Sequence, residues 1–149
     1  MKFHDDPLWI MIDPADVDIE DATFLIPCFA DLQPLVKSIE SIGILNAPFL
    51  QEGPGGRLRP VIGRRRLKAA LIAGLSQTHV RLLPKDMPEQ EVFSLAFWDN
   101  LTVRPFQPGC RAYVTRRILE LFSKEEAAKR FLIHLGIHPS GPRLAELNA

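Results

Sequence analysis

The chain has 149 residues, 46% of them apolar and 24% charged, which suits an ordinary globular domain able to bury a core without staples. Eighteen basic and eighteen acidic side chains cancel, which excludes a protein that holds nucleic acid through a global positive field. No apolar run approaches the roughly 20 residues of a membrane span, and Met1 to Asp6 turns acidic too early for a secretory signal, so a cytoplasmic chain with no membrane partner is expected. The charges are unevenly spread. Asp5, Asp6, Asp13, Asp16, Asp18, Glu20 and Asp21 crowd the start, whereas Arg57, Arg59, Arg64, Arg65, Arg66 and Lys68 share one short stretch that could hold an anion.

In chain order, Leu8 to Ile12 is a short apolar run closed by Asp13-Pro14 and reads as a strand of unknown pairing. Leu32, Leu35, Val36, Ile39 and Ile42 recur at helical spacing between Ala30 and Gly43, the glycine serving as C-terminal cap. Pro48 to Leu50 and Leu58 to Ile62 flank Gly53-Pro54-Gly55-Gly56, predicting a hairpin in which Pro60 marks an edge strand. A helix follows directly from Gly63 to Ala73, ended by Gly74, and then a strand from Thr78 to Leu83. Pro88 opens a helix carrying Val92, Leu95 and Ala96 towards Asn100. Helices are also expected from Cys110 to Phe122 and, behind a Ser123/Glu126 capping box, from there to about Leu135, with a stub from Arg143 to Leu147. The order β-α-β-β-α-β-α with a helical C-terminal third predicts an α+β fold: a small mixed sheet with flanking helices in residues 1–107, then a helical extension in 108–149. The natural chain is expected to run on beyond Ala149, because the sequence stops inside that stub.

A helix N-terminus presents unpaired N–H groups and about half a positive charge, and glycine allows close approach by a phosphate. Gly63 provides this access. Arg64, Arg65 and Arg66 sit in the first turn, where the dipole disfavours cations unless an anion compensates, although a solvated basic face explains them equally well. Cys28 and Cys110 lack ligand spacing and read as packed thiols rather than a disulfide or zinc pair. His134 and His138 have helical metal spacing, but Gly136 between them and Pro139 after them argue against a site.

Ser38 to Leu50, with its Ile42-Gly43-Ile44 step and Pro48, resembles the helix-glycine-strand opening of ParB-type N-terminal domains. Val61 to Ala70 resembles the family's Gly-Glu-Arg-Arg box, with Arg64 in place of the glutamate. Asp99-Asn100-Leu101, followed by Pro108 and Ala112, resembles its Glu-Asn box. The resemblance covers residues 8 to 122. It implies a ParB/sulfiredoxin-like fold of a chromosome-partition type of protein, with a nucleoside triphosphate, typically CTP with Mg2+, against the arginine box. Gly63, Arg65 and Arg66 would hold phosphates together with Arg64, Asn100 would serve nucleotide and metal, and Asp99 would replace the glutamate implicated in hydrolysis. The pattern departs at Leu25 and Val103, where arginines are usual, at Gly109-Cys110-Arg111, and at Asp99 itself, shorter by one methylene. These departures favour binding over hydrolysis, leaving at most a weak CTPase. Sulfiredoxin activity is not expected, since no cysteine lies in the Gly63 turn. Ser123 to Leu147 occupies the place of the family's helix-turn-helix, but Gly136 to Pro142 is too long and broken for its turn. DNA and a second copy of the chain remain open as partners. Two alternatives stand beside nucleotide binding: a degenerate DNA- or protein-interaction domain on the same fold, and a small-molecule kinase or nuclease with Asp99 as base.

Overall fold

The computed structural model describes residues 8–103 and 106–137. Its element order is β1 (Leu8–Ile12), α1 (Gln33–Ile42), β2 (Phe49–Glu52), β3 (Leu58–Ile62), α2 (Arg64–Ile72), β4 (Thr78–Leu82), α3 (Glu89–Val103), α4 (Pro108–Leu121) and α5 (Lys124–Arg130), with short 3-10 turns at Pro14–Asp16 and Leu132–Leu135. This is the α+β order read from the sequence. The chain divides into two compact units, Met1–Leu25 with Phe29–Asp99, and Ile26–Cys28 with Asn100–Ala149, and the division falls inside α3.

In the first unit four strands form one mixed sheet in the order β1-β4-β2-β3. β2 and β3 are the expected antiparallel hairpin, and β3 lies at an edge as Pro60 requires. β2 runs parallel to β4, pairing Phe49 with Arg81 and Leu50 with Leu82. The strand without an evident partner, β1, joins the far side of β4 antiparallel, from Leu8 opposite Leu82 to Ile12 opposite Thr78. That alternation turns Ile10 and Ile12 toward the cluster of Val17, Leu50, Leu67 and Val80. Trp9, opposite Arg81, is exposed beneath the Arg81 guanidinium, which also lies over Phe49.

Leu67 of α2 is fully buried in that cluster, while Ala69 and Ala70 on the same helix meet Val36 and Ile39 of α1. Alanine at both contact positions lets the two helices approach closely. α1 begins at Gln33, later than the apolar periodicity suggests, because Asp31 Oδ1 accepts the Gln33 N–H at 3.0 Å and Pro34 sets the first turn. Gly43, at φ 70°, ends it. Ile42 is exposed, and along α3 the buried set is Val92, Phe93, Ala96 and Phe97, with Leu95 only half-buried. Beneath the hairpin, Gln51 is 1% exposed; its Nε2 donates to the carbonyls of Pro84 and Met87 at 3.0 and 3.2 Å, and its Oε1 accepts from Arg59 at 2.9 Å.

The second unit buries Val114 and Ile118 of α4 together with Phe122, Ala127, Phe131, Leu132 and Leu135. Ser123 caps α5, its Oγ accepting the Glu126 N–H at 3.3 Å and donating to the Glu126 carboxylate at 3.3 Å. Ser123 therefore caps the helix as expected, with Glu126 bonded to its hydroxyl rather than to its backbone N–H, but α5 stops at Arg130 rather than reaching Leu135. Phe131 leaves helical geometry at φ −129° and the chain tightens into the 3-10 turn, whose three-residue repeat places Leu132 and Leu135 on the same buried side before Gly136 ends it. His134 lies in this turn. His138 and the stub from Arg143 to Leu147 lie outside the described residues. Replacing Ser123 by alanine is expected to lower unfolding free energy by about 1 kcal/mol, read as a shifted urea midpoint at unchanged slope.

Candidate functional site

β3 runs through Val61 and Ile62 into Gly63, and α2 starts at the next residue, so strand, turn and helix are continuous. Gly63 is the N-cap in the left-handed region, at φ 91° and ψ 25°. A Cβ there would stand 2.9 Å from Arg66 Nη2, 3.1 Å from Arg66 Nε and 3.0 Å from Pro48 Cβ. Glycine is thus required twice over, for its backbone angle and for the space between proline and arginine. No side chain caps α2 and its first turn holds no acidic residue, so its positive end is left to whatever anion approaches.

The three arginines are half-buried, and each reaches back to backbone carbonyls of a different segment. Arg64 donates to the carbonyls of Ile19 and Asp21. Arg65 donates to Ala30 and Asp31 at 3.2 and 3.0 Å, and Arg66 to Asn46. A glutamate at position 64 accepts hydrogen bonds only, so the bonds to Ile19 and Asp21 depend on the arginine that stands there. These clasps are what the sequence did not reveal, because a carbonyl carries no side-chain signature.

Asp99 lies near the end of α3 and belongs to the first unit, as the Gly63 turn does. Burial pushes the Arg66 guanidinium below its ordinary pKa, and the Asp99 carboxylate opposes that shift. Arginine stays protonated in proteins, so the burial is a cost that a neighbouring anion offsets. The structure therefore brings Gly63, the three arginines and Asp99 into one unit, with Asp99 in electrostatic reach of Arg66. Asn100 follows on α3, half-buried, in the second unit. Among the described residues no group of three or more His, Cys, Asp or Glu side chains could hold a metal. One carboxylate and one amide oxygen fit magnesium only where phosphates and water complete its shell.

No protein-family model matches the chain. Over 100 residues, 66% of its length, it is 35% identical to the chromosome-partitioning protein Spo0J of Thermus thermophilus. Over 80 residues, 54% of its length, it is 39% identical to that organism's probable plasmid-partitioning protein ParB. Its fold is shared with the C-terminally truncated chromosome-partitioning protein ParB of Caulobacter crescentus complexed with CTP-gamma-S, at TM-score 0.53 and 18% identity over 85% of this chain and 69% of that one. In sequence and in fold the domain is ParB-like. The same Caulobacter protein complexed to the centromeric parS site gives a TM-score of 0.56 at 17% identity, covering 93% of this chain and 69% of that one. A Pnob8-like ParB-N domain gives 0.58 at 11% identity, covering 83% and 47%. The stretches matched in the two Thermus proteins are only 36% and 26% of those proteins, so the ParB-like domain corresponds to a minor part of each. No helix among the described residues is long and apolar enough to cross a membrane.

Proposed function

We propose that this ParB-like domain binds the phosphates of a nucleoside triphosphate, CTP first among the candidates, at the Gly63 turn, as a module of a DNA-associated, cytoplasmic partition or regulatory system. The observation that carries the reading is the uncapped α2 N-terminus, closed in by Gly63 at φ 91° and by three half-buried arginines. Each arginine donates to neutral backbone carbonyls, and a phosphate forms charge-assisted bonds roughly twice as strong, so an arriving anion can compete with those carbonyls. The solved relative complexed with CTP-gamma-S supports the choice of nucleotide. Magnesium would arrive with the triphosphate, with Asp99 of the first unit offering it a carboxylate oxygen. Asp99 is also the residue for any hydrolysis, which the shorter side chain makes slow. Titrating CTP, ATP, GTP and UTP with and without magnesium by calorimetry is expected to give saturable binding of one of them, weaker after chelation. Absence of saturable binding to all four would reject the reading.

A second reading is favoured by the same bonds seen from the other side: Arg64, Arg65 and Arg66 serve as clasps on residues 19–21, 30–31 and 46, and the domain is a non-catalytic interaction module. It expects binding to DNA or an acidic protein that falls steeply with salt and is indifferent to nucleotide.

A further inference from the structure

We propose that Cys28 and Cys110, the chain's two cysteines, are a redox pair that closes into an intramolecular disulfide when a low-molecular-weight disulfide is supplied. They lie far apart in sequence, yet the segment Ile26–Cys28 packs with the second unit, to which Cys110 also belongs. There the Cys110 thiol donates to the carbonyl of Pro27 at 2.8 Å. Within a planar trans peptide that oxygen and the next Cα are about 3 Å apart, so the Cα of Cys28 lies within about 6 Å of the Cys110 sulfur. A rotamer change at Cys28 and a shift of its segment are the movements the proposal requires to bring the two sulfurs to bonding distance. Their exposures differ in the way a two-step exchange needs. Cys28 is half-buried and open to a reagent, whereas Cys110 is 3% exposed and shielded from one.

The chemistry balances with glutathione disulfide as oxidant. The Cys28 thiolate attacks one glutathione sulfur, forming a mixed disulfide and expelling the first glutathione thiolate. The Cys110 thiolate then attacks Cys28 Sγ and expels the second. The two protein thiols are oxidised to one disulfide, the oxidant is reduced to two thiols, and the protons lost by the cysteines go to the two leaving thiolates. Excess reduced glutathione reverses both steps.

The test is to expose the reduced chain to graded ratios of oxidised to reduced glutathione, counting free thiols and reading intact mass and a non-reducing peptide map. Both thiols are expected to disappear together, with no glutathione retained and a Cys28–Cys110 linked peptide. The Cys110→Ser chain should stop with one glutathione on Cys28, and the Cys28→Ser chain should keep Cys110 unmodified. A wild-type chain that retains glutathione on Cys28, links to a second chain, or does not react at all overturns the proposal. The wild-type peptide map decides this even where a serine variant fails to fold.

Discussion

Replacing Gly63 by alanine is expected to lower the unfolding free energy by about 2–5 kcal/mol, the sum of a left-handed backbone penalty and an overpacking penalty. The first contribution follows from φ 91° at the N-cap, where an L side chain crowds its own carbonyl. The second follows from the surroundings. Pro48 is buried and its ring cannot turn away, so relief at 3.0 Å must come from the backbone between α1 and β2. Arg66 can move, but only by giving up the Asn46 carbonyl. Urea unfolding read by far-ultraviolet circular dichroism checks the size, and a loss under about 0.5 kcal/mol, the range of inert surface changes, would show that Gly63 is not held as described. The same substitution should weaken phosphate binding in the fraction that stays folded, because the Cβ displaces Arg66, one of the groups that would hold the phosphate.

Much of this fold is written in local signals. Gly43 and Gly74 end α1 and α2 because their positive φ is open to glycine, and Gly56, at φ 82°, serves the hairpin loop for the same reason. Ser123 with Glu126 starts α5 through hydrogen bonds spanning three residues. What was not legible depends on contacts distant in sequence. The pairing of β1 with β4 joins strands separated by the whole first half of the domain, and nothing in Leu8 to Ile12 names its partner. The early stop of α5 comes from burying Phe131, Leu132 and Leu135 together, which overrides helical periodicity. In the candidate site the sequence marked the residue types of the turn, glycine then arginines, but not the conformation the arginines adopt. Their carbonyl partners sit in loops of ordinary composition, and Gln51 looks like any polar strand residue until it is found beneath the hairpin holding Pro84, Met87 and Arg59.

Arg66→Gln separates the two functional readings most sharply. Glutamine keeps a hydrogen-bond donor, two bonds short of the Nη1 that reaches the Asn46 carbonyl, and removes the charge that burial already disfavours. Stability should therefore change by no more than about 1 kcal/mol, all the more because Asp99 is exposed and stays solvated without its cation. Nucleotide affinity should fall about ten- to a hundredfold, the loss of one charge-assisted phosphate bond. If the arginines are clasps alone, the same variant leaves nucleotide titrations as they were and weakens only a salt-sensitive partner. Asp99→Asn supplies the complementary control. It removes the carboxylate that opposes the shift of Arg66, so the guanidinium loses its neighbouring anion and a phosphate gains one less competitor. Under the nucleotide reading Asp99→Asn should bind triphosphate at least as tightly as the parent once magnesium is chelated, more weakly than the parent when magnesium is present, and lose any turnover; weaker binding under both conditions would place Asp99 among the groups that hold the nucleotide itself.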